Sequence, residues 1–165
     1  MLDPSPDISV RHDLRPGDVG RIIALHGQAY DVLPGFGIPF EAFVARTLAD
    51  YVLDDGARGR IWLAERGGEL IGCTAIVLRE DQRCQLRWVL VDHAARGMGL
   101  GKRLVNEALA YSRDNGGEAI FLLTTDGLPE SQTLYESLGF REVSNEPEPL
   151  WDGVRPLICM ELSLK

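Results

Sequence analysis

The stretch Arg96-Gly97-Met98-Gly99-Leu100-Gly101-Lys102 places three alternating glycines between two cations, where an apolar run from Cys84 to Val91 gives way to helical spacing. Backbone without Cβ atoms can close around an anion. The free N–H groups of a helix's first turn, together with its dipole, favour a phosphate there. Two designs for that chemistry fail on spacing. A P-loop needs Gly five residues before the Gly-Lys pair and Ser or Thr after the Lys, and those positions hold Arg96 and Arg103. A dinucleotide fingerprint needs its third Gly at Lys102 and an early place in the chain. The three cysteines, Cys73, Cys84 and Cys159, lie far apart in apolar stretches without metal-ligand spacing, and no Cys-His or Ser-His pair suggests a nucleophile. No metal site is expected.

The elements around this turn follow from periodicity. A short strand in Ile8 to Leu14 leads through Arg15-Pro16-Gly17 into a helix with Asp18 as its N-cap and Val19, Ile22, Ile23, His26 and Tyr30 facing the core. A second helix carries Phe40, Phe43, Val44, Thr47, Leu48, Tyr51 and Val52. Arg60 to Glu65 and Leu70 to Leu78 flank Gly67-Gly68 as a hairpin. Beyond the glycine turn, Leu100, Leu104, Val105, Ala108, Leu109 and Tyr111 make a helical stripe, and Ala119 to Leu123 reads as a fully buried strand parallel to the one before the turn. A short helix after Pro129 stops at Gly139, and strand material follows at Arg141 to Val143 and Leu157 to Leu164. The order β-α-α-β-β-β-α-β-α-β-β describes an α+β fold, an α/β sandwich. Its mixed, largely antiparallel sheet contains one parallel βαβ unit, with helices on both faces.

With 165 residues, 45% of them apolar, the chain is one domain, residues 8–165 behind a disordered tail of residues 1–7. Its net charge of −8 argues against nucleic acid as a partner. The odd cysteine count, a Pro- and Asp-rich start and the absence of any long apolar run lead us to expect a cytoplasmic protein with no membrane partner.

Arg96-Gly97-Met98-Gly99-Leu100-Gly101 resembles the Q/R-x-x-G-x-G/A signature of the Gcn5-related N-acetyltransferase (GNAT) superfamily. Leu86 to Asp92 looks like that family's fourth strand, and Leu134-Tyr135-Glu136-Ser137-Leu138-Gly139-Phe140 like its L-Y-x-x-x-G-F motif. His26 to Tyr30, the helix from Phe40 and the ending Trp151 to Leu164 resemble the acetyltransferase halves of MarR fusion proteins. The resemblance implies a GNAT-like sheet and a cosubstrate, acetyl-CoA. Its pyrophosphate would rest on Arg96, Gly97, Met98, Gly99, Leu100, Gly101 and Lys102, and its pantetheine and thioester would lie along Val89, Leu90 and Val91. It also implies Tyr135 as the acid that protonates the departing thiolate.

A base is not assigned, because Arg87 and Trp88 stand where many members carry a Glu; Glu80, Asp81, Asp92 and water are the alternatives. His93 reads as a surface residue and His26 as a packed one with a satisfied hydrogen bond. Tyr30, Phe36, Trp88 and Trp151 are expected to line a pocket for an amine acceptor of open identity. The expected activity is direct transfer from acetyl-CoA to a primary amine in a ternary complex, releasing coenzyme A. The alternative is a noncatalytic acyl-CoA sensor, and a homodimer is left open.

Overall fold

A computed structural model describes residues 7–54 and 58–165. All but the last residue of the expected tail, and the tip of the loop after the second helix, lie outside the described residues. Strand-forming residues collect in β1 (Ser9–Arg11), β2 (Gly59–Arg66), β3 (Glu69–Leu78), β4 (Arg83–Val91), β5 (Ala119–Thr124), β6 (Arg141–Leu150) and β7 (Gly153–Ser163). The helices are α1 (Asp18–Tyr30), α2 (Gly37–Leu53), α3 (Leu100–Asp114) and α4 (Pro129–Ser137). The sheet runs β1-β2-β3-β4-β5-β7-β6, and each neighbouring pair is antiparallel except β4 with β5. The expected element order and the parallel βαβ unit are both present.

Binary patterning splits the core by sheet face. Leu100, Leu104, Val105 and Ala108 of α3 pack with Ile71, Ile76, Leu86, Ile120, Leu122 and Met160 on one face. Ile22 of α1 and Leu48 of α2 pack with Leu63, Cys73, Ala75 and Leu90 on the other. Gly67 and Gly68, at φ 59° and 82°, make the β2–β3 turn that only glycine adopts without strain.

Three expectations need correction. Gly17, at φ 97°, occupies the N-cap of α1, and Asp18 is instead its first residue. The Asp18 carboxylate accepts the Arg15 N–H at 2.8 Å and both guanidinium arms of Arg11 at 2.8 and 2.9 Å, so ion pairing at the positive helix end replaces capping. The strand β5 is not fully buried, because one of its faces borders the open cavity described below and Leu123 stays 49% exposed. The last hairpin is also far longer than Arg141 to Val143 suggests. Its Pro147 and Pro149 are compatible with strand because β6 is the sheet edge, where one side of the backbone needs no partner.

Candidate active site

The parallel pairing of β4 with β5 lasts only from Arg83, Cys84 and Gln85 against Ala119, Ile120 and Phe121. Past Gln85 the two strands separate, and the second half of β4 presents an unpaired edge to the gap. A bulge in β4 shapes this edge. Cys73 stands opposite Leu90 and Ala75 opposite Arg87, so Trp88 and Val89 together oppose Thr74 alone. The bulge puts Trp88 at φ 47°, a left-handed conformation that costs a bulky residue energy, and the Cys73 thiol helps hold it by donating to the Trp88 carbonyl at 3.1 Å. Sequence reading did not foresee the bulge, since its signal lies in register, not in composition.

A cavity of about 200 Å3 fills the gap. From the α3/α4 side it is lined by Leu122, Thr125, Leu128, Ser131 and Tyr135. From the α1/α2 side it is lined by His26, Tyr30, Phe36, Phe40, Phe43, Val44, Trp88 and, at the tip of the last hairpin, Leu150 and Trp151. All four aromatic residues expected at an acceptor pocket therefore meet here. Phe40, Phe43, Leu128, Leu150 and Leu157 join them unforeseen. Trp151 packs on Phe36 at 5.2 Å and on Phe40 at 4.9 Å between ring centres, and its φ of 38° lets the two-residue hairpin turn present the indole. Arg155 fastens this rim. It donates to the Pro34 carbonyl at 2.8 Å and to the Asp126 carboxylate at 3.0 Å, with its guanidinium over the Phe36 ring. One side chain thereby ties β7 to the α1–α2 loop and to the turn before α4.

Tyr135 enters from α4, is 7% exposed, and packs edge-on against Phe140. Burial holds its phenol above the ordinary value, with a smaller contribution from the nearby Tyr30 phenol, which burial itself raises to about 12. Both remain protonated at neutral pH. His26 donates Nδ1–H to the Ile22 carbonyl at 2.8 Å, the satisfied hydrogen bond expected of a packed histidine, and burial lowers its pKa to about 4. It is neutral and too weak a base to retain a proton at pH 7. Glu80, Asp81 and Asp92 are not among the residues lining the cavity. Its described lining contains no carboxylate, and its one charged side chain is Arg87.

The glycine turn lies at the end of the separated strand. A short 3-10 turn, His93–Ala95, leads into Arg96, which forms an ion pair with Glu130 of α4 at 2.7 Å. Gly97 and Gly99 have φ 77° and 74°, and a Cβ on either would meet nothing within 4 Å. The space beside them is open. Gly99 caps α3 without a side-chain hydrogen bond, and no acidic residue occupies the first turn, so the helix presents uncompensated N–H groups. Gly101 differs, since a Cβ there would lie 3.3 Å from Leu134; its smallness serves helix packing. Leu100 is buried, Met98 and Lys102 are exposed, and Lys102 and Arg103 have no carboxylate partner among the described residues. Of the expected strand residues, Val89 lines the cavity, Leu90 is buried toward α1 and Val91 packs toward α3. An open cradle with unpaired cations fits a pyrophosphate, and the unpaired β4 edge fits an extended amide-bearing arm. Among the described residues, no group of three or more His, Cys, Asp or Glu could hold a metal ion, and no helix is long and apolar enough to cross a membrane.

Comparison with known proteins agrees with this geometry. The model of the Acetyltransferase (GNAT) family matches residues 30–140, from the last residue of α1 to Phe140. N-acetyltransferase 8F1 of Rattus norvegicus is 30% identical over 116 residues, covering 64% of this chain and 52% of that protein. N-acetylaspartate synthetase of Danio rerio is 37% identical over 94 residues, covering 56% of this chain and 33% of that protein. The chain thus spans about half or less of the length of these curated relatives. Among solved structures, an acetyltransferase from Salmonella typhimurium with its cofactor acetyl-CoA superposes with TM-score 0.72 at 19% identity, covering 96% of this chain and 95% of that one.

Proposed function

The chain belongs to the acetyltransferase (GNAT) family, and we propose that it transfers the acetyl group of acetyl-CoA to a primary amine by direct attack. The observation that carries this reading is the gap between β4 and β5, with Tyr135 on one side, the aromatic cavity on the other and the open glycine turn at its end. Backbone amides of Gly97 to Lys102 hold the pyrophosphate, with Arg96 and Lys102 adding charge, and Val89, Leu90 and Val91 pair with the pantetheine arm. When bound, acetyl-CoA supplies the thioester.

The Arg87 cation and the lack of any carboxylate in the described lining disfavour an ammonium, so an entering amine gives its proton to water. The nitrogen then forms its bond to the acetyl carbon as the carbon–sulfur bond breaks. Tyr135 gives its proton to the sulfur and regains one from the new amide nitrogen. A β4 backbone N–H steadies the carbonyl oxygen as charge builds on it, a role typically worth about 2.7–4 kcal/mol. The net products are amide, coenzyme A and one proton.

Three free cysteines, two of them buried, suit a reducing compartment, and we place the enzyme in the cytoplasm. We further propose that its acceptor side is built like that of the acetyltransferase halves of MarR fusion proteins. The test follows thiol release from acetyl-CoA over a panel of primary amines, with product masses checked for one added acetyl group. Thiol release with acetylated product is expected. Tight acetyl-CoA binding without turnover on any amine would replace this reading with a noncatalytic sensor.

A further inference from the structure

We propose that the acceptor carries a carboxylate beside its amine and an apolar, preferably aromatic, side chain, as a hydrophobic α-amino acid does, with Arg87 and Gln85 receiving the carboxylate. This rests on the acetyl-transfer reading and names the substrate class for the same site.

Arg87 is the observation that carries it. It lines the cavity, and its guanidinium lies over the Trp88 ring at 4.5 Å with no carboxylate or carbonyl partner among the described residues. Arg11 and Arg155 are tied to anions, Arg11 to Asp18 and Glu65 and Arg155 to Asp126, whereas Arg60, which also lacks a carboxylate among the described residues, rests over the Trp62 and Tyr111 rings away from the cavity lining. A cation left half-buried without a counter-ion is costly unless a ligand brings one. Burial and the neighbouring Arg79 both lower its affinity for its proton, in keeping with a charge that lacks a partner.

Gln85 supplies the second donor. It lies two residues from Arg87 on β4, on the same sheet face, is buried and lines the same cavity. Arg79 donates to its Oε1, which fixes the amide so that the NH2 end is the free one, and that end has no partner among the described residues. A guanidinium and an amide on one face make a fork for a carboxylate. Around them stand Tyr30, Phe36, Phe40, Phe43 and Trp151, which suit an aromatic or branched side chain. The same lining opposes polyamines and lysine-like acceptors, whose second cation would meet Arg87 with no carboxylate to offset it.

The experiment compares L-phenylalanine, 2-phenylethylamine and spermidine as acceptors, by thiol release, in the parent protein and in Arg87→Met, Arg87→Lys and Gln85→Leu. Thermal melts confirm that each variant folds. The parent should use phenylalanine at least about tenfold better in kcat/KM than phenylethylamine, which has the same body without the carboxylate. Arg87→Met should erase that ratio through KM, Arg87→Lys should restore part of it, and Gln85→Leu should reduce it. A parent that prefers phenylethylamine or spermidine, or a ratio unmoved by Arg87→Met, overturns the proposal while leaving acetyl transfer intact. If no amine is turned over, equilibrium binding decides. A saturable change in tryptophan fluorescence with phenylalanine, lost in Arg87→Met, supports the site, and its absence at millimolar ligand overturns it.

Discussion

In the proposed transfer, Tyr135 supplies the acid through one hydroxyl. The phenol is buried, raised in pKa and free of any hydrogen bond among the described residues, so its proton is available to a leaving thiolate. Tyr135→Phe keeps the edge-on packing against Phe140 and removes only the acid. With an acceptor in hand, kcat should fall about 10²- to 10⁴-fold, while acetyl-CoA affinity by calorimetry and the melting temperature stay close to the parent's. Full kcat in the Phe variant would show that another group, or water, protonates the sulfur. Tyr135 stands out in sequence because a local motif surrounds it, and it lines the cavity. Arg87 was legible only as the wrong residue for a base, since nothing in a linear sequence says whether an arginine on a strand has a counter-ion.

The glycine turn and α3 act as one element, and there the sequence was most explicit. Alternating glycines mark positive φ at Gly97 and Gly99, yet identical spacing at Gly101 serves contact with Leu134, a difference visible only once α4 is docked. The bulge in β4 left no such trace, because Trp88 and Val89 look like ordinary strand residues and their displacement is decided by pairing with β3. The length of β6 was hidden by Pro147 and Pro149, which argue against a strand until its edge position is known. Gly99→Glu should abolish acetyl-CoA binding measured by calorimetry, since it sets a carboxylate where the phosphates would sit. Gly99→Ala separates charge from strain. At φ 74° it should cost about 1 kcal/mol of stability yet retain measurable binding. Unchanged affinity in the Glu variant would move the cofactor away from this turn.

Across the whole molecule, two buried ionisable groups of the α1 helix, Asp18 at its start and His26 further along, link stability to pH. His26 is 3% exposed, and its pKa falls from the ordinary 6.5 to about 4. An unfolded chain takes up that proton below pH 6.5 while the folded chain refuses it, so stability should fall as pH drops from 6.5 toward 4. The limiting slope is about 1.4 kcal/mol per pH unit. Asp18 works lower on the scale. The Arg11 hydrogen bond brings its pKa from 3.8 to about 2, against an opposing push from burial, so its contribution is complete above 3.8 and vanishes as pH falls through 2. Arg11 and Arg21 also bind Glu65, so this second decline reports the clamp joining β1, α1 and β2. Urea unfolding at pH 7, 5 and 3 should therefore show two successive losses of stability. His26→Gln should flatten the change between pH 7 and 5, and Asp18→Asn should shrink the one below pH 4. A parent whose stability is level from pH 7 to 5 would mean that His26 is not held neutral in the fold, and that the wall of the cavity it lines admits water.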